Sequence, residues 1–220
     1  MNNEQFYIAG FWRFQKTLLV VSIFIMLAAM MTIDASLLPI HWNIYGEADQ
    51  FANKYLALGF WPIIIAALML LMVFIPKLEK RKNNLKQSKK ATSFVLGGVS
   101  LLIFMCQMIA ILVVLGLITS FVHWVVTLIS ILIIVMGNFL TKLQSNYSIG
   151  IRTKWTLSDD RVWAKTHRFA SLVFILIGML SLTSIFWMPT QWLFINVVVF
   201  VFGTLICVPY SYVIYKKLNK

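Results

Sequence analysis

Residues 94–118 read FVLGGVSLLIFMCQMIAILVVLGLI, a run of 25 residues without a charged side chain. An α-helix rises about 1.5 Å per residue, so about 20 apolar residues cross the hydrocarbon core of a membrane. Five further stretches of the chain meet this requirement. The six predicted spans are residues 17–33, 58–75, 94–118, 124–140, 169–188 and 192–212. The pattern predicts an all-α fold, a polytopic membrane bundle of six transmembrane helices.

The composition of the whole chain agrees with a membrane protein. Of its 220 residues, 60% are hydrophobic and only 12% are charged, whereas about a quarter of the residues of a soluble domain are charged. Cys106 and Cys207 both lie inside apolar runs, so we expect small buried side chains there and no disulfide framework. We predict a single membrane domain, with the first two spans in residues 1–93 and a four-span part in residues 94–220.

The positions of lysine and arginine predict the orientation of the bundle. Eighteen of the nineteen precede the first span, follow the second or fourth span, or end the chain, and only Lys54 lies on the other side. Because such residues are enriched in cytoplasmic connections, we predict both termini in the cytoplasm. The basic stretch 77–90 is expected to be a solvated loop against anionic lipid. This topology explains the net charge of +12, and no direct binding of nucleic acid is expected.

Polar groups inside the spans are few, and this disfavours several function classes. No predicted span has an ionisable group near its centre, whereas proton-coupled transporters and voltage sensors use such groups. The amides of Gln107, Asn138 and Asn196 are expected to form hydrogen bonds between helices. Walker, HExxH and GxSxG motifs are missing from the sequence. We therefore predict that the protein is not an enzyme and has no cofactor, and its evident partner is the lipid bilayer.

The outer connection, residues 37–54, reads LLPIHWNIYGEADQFANK and is the first of two informative polar segments. Pro39 is expected to stop the first helix, and Gly46 to permit a tight turn before two acidic residues. The segment is therefore predicted to be an ordered cap over the outer helix ends. Its candidate binding residues are His41, Trp42, Asn43, Gly46, Glu47 and Asp49.

Three interpretations of this outer segment remain open. In the first, His41 and Asn43 bond to the loop backbone while Glu47 and Asp49 face water. In the second, His41, Glu47 and Asp49 hold a metal ion, since imidazole and carboxylate are suitable ligands, although their spacing matches no standard site. In the third, exposed aromatic rings beside carboxylates recognise a cationic, amphipathic peptide.

The second informative segment, residues 137–168, reads GNFLTKLQSNYSIGIRTKWTLSDDRVWAKTHR. Thr156 or Ser158 is expected to cap a helix whose first turn is acidic. Trp163 and His167 are four residues apart and share one helix face. A short interfacial helix bearing both tryptophans, Trp155 and Trp163, is predicted to lead into the fifth span.

Arg152 is a further candidate in this segment, because its planar guanidinium suits an anion, a lipid phosphate or a protein carboxylate. The simpler interpretation of these residues is cytoplasmic positive charge with aromatic anchoring. Their density predicts a packed structural unit in either case. The candidate binding residues are Asn146, Gly150, Arg152, Trp155, Trp163 and His167.

Both segments resemble known sequence signatures. The outer residues LPIHWN with Gly46, Ala48-Asp49 and Lys54 resemble an uncharacterised domain found at the start of SdpI-like proteins. The residues Gly137-Asn138, Asn146, GIRT at 150–153, WTLS at 155–158, Trp163 and THR at 166–168 are similar to the signature of the SdpI family of bacterial toxin-immunity proteins. Lys154 departs from this signature, in which proline usually precedes the tryptophan.

The resemblance implies a multi-pass protein of a Gram-positive plasma membrane that protects its cell from a secreted, membrane-active toxin peptide. It implies a second activity as well, in which the toxin-bound protein holds a small helix-turn-helix autorepressor at the membrane. On this hypothesis the outer segment meets the peptide, and the cytoplasmic segment reports the bound state. The rival hypothesis is a membrane-embedded metal-dependent enzyme, or a lipid-handling protein, that uses His41, Glu47 and Asp49.

Overall fold

The structure is a computed structural model, and it describes residues 3–43, 45–189 and 194–219. After a 3₁₀ turn at Asn3–Phe6, the described elements are α1 (Phe11–Thr32), β1 (Leu37–Trp42), β2 (Ala48–Asn53), α2 (Lys54–Leu78), α3 (Lys82–Gln87), α4 (Lys89–Val114), α5 (Phe121–Leu140), α6 (Lys154–Ser158), α7 (Asp160–Ser184), α8 (Phe194–Leu205) and α9 (Cys207–Leu218).

Within the described residues, six helical segments are long and apolar enough to cross a membrane. Five of them are α1, α2, α4, α5 and α7, and α8 with α9 forms the sixth, Phe194–Leu218. The predicted helical fold with six spans is therefore confirmed. We call the end of the bundle near β1 and β2 the hairpin end, and the end with the lysine-rich connections the basic end.

The observed helices start and stop at other residues than hydropathy predicts. Helix α4 begins at Lys89 and α7 at Asp160, each more than one turn before the predicted apolar core. A helix satisfies its own backbone hydrogen bonds, so it continues past the apolar core into the polar interface. The prediction for Pro39 was wrong, because α1 already ends at Thr32 and Pro39 lies within β1.

The outer connection is an antiparallel hairpin, a structure that the sequence analysis did not predict. Strands β1 and β2 pair from Leu37 opposite Asn53 to Trp42 opposite Ala48, with register irregularities beside His41. Gly46 has a φ of +82° in the turn, which confirms the predicted need for glycine. The expected ordered cap is thus a small sheet at the hairpin end of the bundle.

Helices α5 and α7 approach each other at glycines. A Cβ placed on Gly137 would lie 3.0 Å from the backbone oxygen of Ser171, and one on Gly178 would lie 3.0 Å from that of Ser130. Small residues permit such backbone contact between membrane helices. The hydroxyl of Ser130 also donates to that of Ser181 at 2.8 Å. We call this contact the glycine seam.

Two of the three predicted interhelical amides form hydrogen bonds between helices. The Ser22 hydroxyl donates to Gln107 Oε1 at 2.6 Å, and Gln107 Nε2 donates to the Ser22 carbonyl at 3.0 Å. Asn196 Nδ2 donates to the Ser184 hydroxyl at 3.1 Å. Asn138 is instead exposed on α5.

Candidate binding surfaces at the two ends of the bundle

The hairpin turn is organised by Asn43. Its side-chain oxygen accepts hydrogen bonds from the backbone N–H groups of Tyr45 (2.9 Å) and Glu47 (3.1 Å), and its Nδ2 donates to Glu47 Oε2 at 3.2 Å. Asparagine often forms such bonds to the backbone ahead of it in turns. The backbone-bonding interpretation was therefore correct for Asn43.

His41 pairs with a carboxylate across the two strands. Its Nδ1 lies 2.6 Å from Asp49 Oδ1, so the ring N–H donates to the carboxylate. The interpretation in which His41 bonds to the loop backbone was therefore wrong. Both side chains are exposed, as is Glu47. Glu47 bonds to Asn43 instead of joining the pair. Among residues 3–43, 45–189 and 194–219, no three histidine, cysteine, aspartate or glutamate side chains form a group that could hold a metal ion.

Trp42 attaches the hairpin to the helix bundle. Its ring stacks on that of Phe121, the first residue of α5, with ring centroids 3.8 Å apart. Trp42 is therefore half-buried and holds the hairpin in place. Among the described residues of the hairpin, the large apolar side chains that remain exposed are those of Leu37, Ile40, Tyr45 and Phe51.

Lys54, the one basic residue predicted on the outer side, bonds to the end of α1. Its ammonium donates to the backbone oxygens of Met30 (3.2 Å) and Ile33 (2.8 Å). A cation at this position stabilises the carbonyl end of a helix. With this charge so placed, the exposed charge on the hairpin itself comes from Glu47 and Asp49.

At the basic end, Asn146 shapes the connection between α5 and α6. This fully buried side chain accepts hydrogen bonds from the backbone N–H groups of Ser148 (2.9 Å) and Ile149 (2.8 Å) and donates to the Gln144 carbonyl at 2.8 Å. All of these partners are local. Asn146 therefore determines the conformation of the loop and has no side-chain atom at the surface.

Gly150, Trp163 and His167 form one contact. Gly150 has a φ of +117°, and a Cβ there would lie 2.6 Å from His167 Nε2 and 3.0 Å from the Trp163 ring. The next backbone N–H, of Ile151, donates to His167 Nε2 at 3.1 Å. Nε2 is therefore an acceptor, so Nδ1 carries the proton and donates to the Trp163 carbonyl at 2.9 Å. Only glycine gives the loop this close approach to the imidazole.

Trp163 and His167 share a helix face as predicted, but both are buried. Their rings stack with centroids 4.0 Å apart, and Trp163 Nε1 donates to the Leu143 carbonyl at 2.7 Å. The predicted packed unit is thus present. Trp155 lies apart from it, with its ring 4.9 Å from that of Tyr212 on α9. Arg152 is exposed and donates to the Tyr147 carbonyl.

The helix caps differ from the predicted ones. Thr153 caps α6 in a reciprocal capping box with Thr156, and Asp159 caps α7 by accepting from the Arg161 backbone N–H at 2.8 Å. A side-chain hydrogen bond from Arg161 lowers the pKa of Asp159 to about 2, so this cap stays charged. The predicted caps were wrong because Thr153 and Asp159 take the extended backbone conformation of a capping residue. The predicted short helix carries Trp155 only, since Trp163 is already in α7.

Lys154, at which the resembled signature usually has proline, is the first residue of α6. Proline suits that position because its missing N–H has no partner within the helix. Lysine keeps the helix start, since the Thr153 cap supplies the bond that fixes it.

Glu79 is the residue of the basic end that the sequence analysis missed. It follows α2 directly and is only 2% exposed. Its carboxylate accepts hydrogen bonds from the Tyr147 N–H (3.0 and 3.2 Å), the Ser148 hydroxyl (2.5 Å) and the Arg81 N–H (2.7 Å). A buried carboxylate so placed joins the end of α2 to the loop before α6.

Arg81 adds a second connection between the same segments. Its guanidinium donates to the Leu157 carbonyl at 2.7 Å and to the Ser145 hydroxyl, and lies 3.4 Å from Asp160. The expectation of a solvated loop over residues 77–90 was therefore wrong. This stretch contains α3, and its polar side chains bond to the connection that follows α5.

Two segments of the chain match models of known protein families or domains. Residues 142–212 match the model described as the SdpI/YfhL protein family, and residues 18–66 match Domain of unknown function (DUF1648). The chain thus carries an SdpI/YfhL segment preceded by a DUF1648 segment, as the resemblance predicted.

Among individual proteins, the chain is similar to Immunity protein SdpI of Bacillus subtilis (strain 168). The two sequences are 27% identical over 183 residues, which cover 83% of this chain and 85% of the relative. The chain is therefore a distant homologue of that immunity protein, and a protein with six membrane-spanning helices. No solved structure matches the chain significantly.

Proposed function

We propose that this chain is a membrane immunity protein that gives resistance to a secreted, membrane-active toxin peptide. The observation that carries the proposal is the hairpin, which exposes Ile40, Tyr45 and Phe51 beside the carboxylates of Glu47 and Asp49. A cationic, amphipathic peptide would find apolar contact and opposite charge on one surface. The distant relationship to Immunity protein SdpI supports the same activity.

The proposed orientation places the hairpin outside the cell and the basic end in the cytoplasm. It rests on the distribution of lysine and arginine, of which Lys54 alone belongs to the hairpin end. This orientation puts the carboxylates where a secreted peptide first reaches the membrane.

Within the proposed site, His41 and Trp42 position the hairpin and the exposed groups contact the peptide. The His41–Asp49 pair joins the strands, and the Trp42 ring fixes them to α5. Gly46 and Asn43 stabilise the turn that connects the two strands.

A second part of the proposal concerns the basic end, where the toxin-bound state would be read by a small helix-turn-helix autorepressor. Of the candidate side chains at this end, Arg152 and Trp155 are those that a cytosolic partner can reach, since Asn146, Trp163 and His167 are buried. Co-purification of such a repressor with membranes, lost in Arg152→Ala, is the test of this part. A repressor that stays soluble with the wild-type protein would contradict it.

Survival of a sensitive bacterium tests the immunity proposal directly. Cells expressing the chain are challenged with a panel of cationic, membrane-active peptides, beside cells expressing Phe51→Ser or Asp49→Asn. We expect protection against at least one peptide, and its loss in both variants while the amount of inserted protein is unchanged.

A matched control is Phe186→Ser, which changes an exposed aromatic residue beyond the end of α7, outside the hairpin. It should protect like the wild type. Failure of the wild-type chain to protect against any peptide in the panel would refute the proposal. Protection that survives both hairpin variants would refute the hairpin as the site.

A further inference from the structure

An apolar cavity of about 630 Å³ lies between the start of α1, residues 93–105 of α4 and residues 128–135 of α5. Its volume is within the range of about 300–1,000 Å³ that is typical of small-ligand sites. Phe11 and Phe14 of α1, Phe94 and Leu101 of α4, and Ile131 of α5 contribute to its wall. This cavity is separate from the hairpin and from the loops discussed above.

The cavity extends from the basic end to the middle of the bundle. Its α1 residues are at the first turn of that helix, and its α4 residues begin at Ser93, one turn after Lys89. Its residues on α5 extend to Val135, little more than one turn before the end of that helix. In a membrane, this depth corresponds to the leaflet that adjoins the lysine-rich connections.

The rim of the cavity is open to the side. Phe14, Phe94, Leu101 and Ile131 are each between 41% and 45% exposed, although all four are apolar. In a membrane-spanning bundle these side chains face lipid, so the cavity opens to the hydrocarbon of the bilayer. A hydrocarbon chain can enter from that direction without crossing water.

Positive charge lies at the basic end of this opening. The Lys142 ammonium is 4.7 Å from the centre of the Phe139 ring, which stacks at 4.6 Å on Phe94 in the cavity wall. Lys90 is one helical turn before Phe94, on the same side of α4. Neither lysine forms a salt bridge within residues 3–43, 45–189 and 194–219.

The acidic side chains described at the basic end already have partners within the protein. Glu79 bonds to the loop after α5, Asp159 pairs with Arg161, and Asp160 lies 3.4 Å from Arg81. The lysines at the cavity are thus available to an anion from outside the protein.

A buried amide lies behind the wall of the cavity. Gln15 is fully buried, and neither its Oε1 nor its Nε2 has a hydrogen-bond partner among the described residues. Its Nε2 lies 4.0 Å from the position of a Cβ on Gly97, a residue of the cavity wall. The amide does not line the cavity, so a bound molecule would meet the mainly apolar wall and not this side chain.

We propose that this cavity binds an acyl chain of one anionic phospholipid, with the lipid headgroup beside Lys90 and Lys142. The apolar wall and the lateral opening select the chain, and the two lysines select the negative headgroup over a neutral one. This site does not depend on the immunity function, and a protein inactive against every peptide would still bind the lipid.

Photo-crosslinking of the full-length protein in phosphatidylcholine vesicles tests the proposal. The probes are phosphatidylglycerol and phosphatidylcholine that carry the same diazirine-labelled acyl chain. Mass spectrometry of the labelled peptides is expected to show phosphatidylglycerol label concentrated in residues 94–105 and 128–135. Neutralising Lys142 in Lys142→Gln should lower the preference for phosphatidylglycerol about fivefold, whereas Lys217→Gln should leave it unchanged.

A cavity-filling variant separates the site from the general lipid surface. Leu101→Trp should reduce labelling of residues 94–105 and 128–135 several-fold. Its control, Leu176→Trp, places the same ring on an exposed leucine of α7 away from the cavity and should have no effect. Equal labelling by the two lipids, label spread evenly over the exposed face of α7, or equal effects of the two tryptophans would overturn the proposal.

Discussion

Removal of the buried Glu79 carboxylate should loosen the connection between α2 and the loop before α6. In Glu79→Ala, the Tyr147 N–H and the Ser148 hydroxyl lose their acceptor, as does the Arg81 N–H. A hydrogen bond to a charged group contributes about 1.5–3 kcal/mol. We expect the free energy of unfolding to fall by about 3 kcal/mol. This is the lower end of the sum for the bonds from Tyr147 and Ser148, because water can reach the loosened donors and such bonds are not additive.

Labelling of Cys207 by a thiol-reactive fluorescent dye gives a suitable measure of this loss. Cys207 is fully buried in the same apolar cluster as Leu143 and Trp163, next to the affected loop. The measurement uses a Cys106→Ala background, so that a single thiol reports unfolding in denaturant. Labelling should begin at a clearly lower denaturant concentration in Glu79→Ala.

The matched control is Asp160→Ala at the same end of the bundle. Asp160 is 77% exposed and lies 3.4 Å from the Arg81 guanidinium. Its loss removes a first-turn charge of α7 and a weak ion pair, so we expect a cost of about 1 kcal/mol or less. If Glu79→Ala and Asp160→Ala lowered stability equally, the assigned role of the buried carboxylate would be wrong.

Three further substitutions test other contacts. Gly150→Ala should lower stability by about 1–3 kcal/mol in the same dye assay, because its methyl group would meet the imidazole beneath it at a positive φ; the helical Gly59→Ala, which has open space, should not. Gln107→Leu should cost about 0.6–1.7 kcal/mol through its lost bonds to α1, whereas the exposed Asn138→Leu should be neutral, and equal costs would contradict the assignment. Trp42→Ala removes a ring stack of about 0.5–1.5 kcal/mol, so amide hydrogen exchange in β2 should become faster, and unchanged exchange would argue against that attachment.

The spans could be predicted because each depends on local composition alone. A run as apolar as residues 94–118 is not stable when it is exposed to water, and its length determines that it crosses the membrane. The ends of the helices depend instead on caps such as Asp159, which compete with neighbouring polar residues of similar type. The boundaries were accordingly less accurate than the number of spans.

The hairpin could not be derived from the same local signals. Its burial pattern does not alternate, since only Leu38 is buried in β1 and no residue is buried in β2. Period-two patterns identify strands only when one face is buried. The glycine at the turn and the backbone-bonding side chain of Asn43 were the local signals that could be used correctly.

Glu79 was missed because its neighbours in the sequence suggest an exposed residue, whereas the side chain is buried. It stands between Lys77 and Lys80 in a stretch whose composition is typical of a solvated loop. Its partners, Tyr147 and Ser148, are 68 and 69 residues further along the chain. The candidate binding residues and the division at residue 93 likewise depend on long-range relations, and they stay predictions.

The glycine seam limits how a signal could pass through this protein. With backbone atoms in contact at Gly137 and Gly178, α5 and α7 cannot slide or rotate past each other without collision. The hairpin rests on the first residue of α5, and α7 carries the tryptophan and histidine that hold the loop at the opposite end. A force applied to the hairpin would therefore tilt α5 and α7 together, and the loop at the opposite end would move with them.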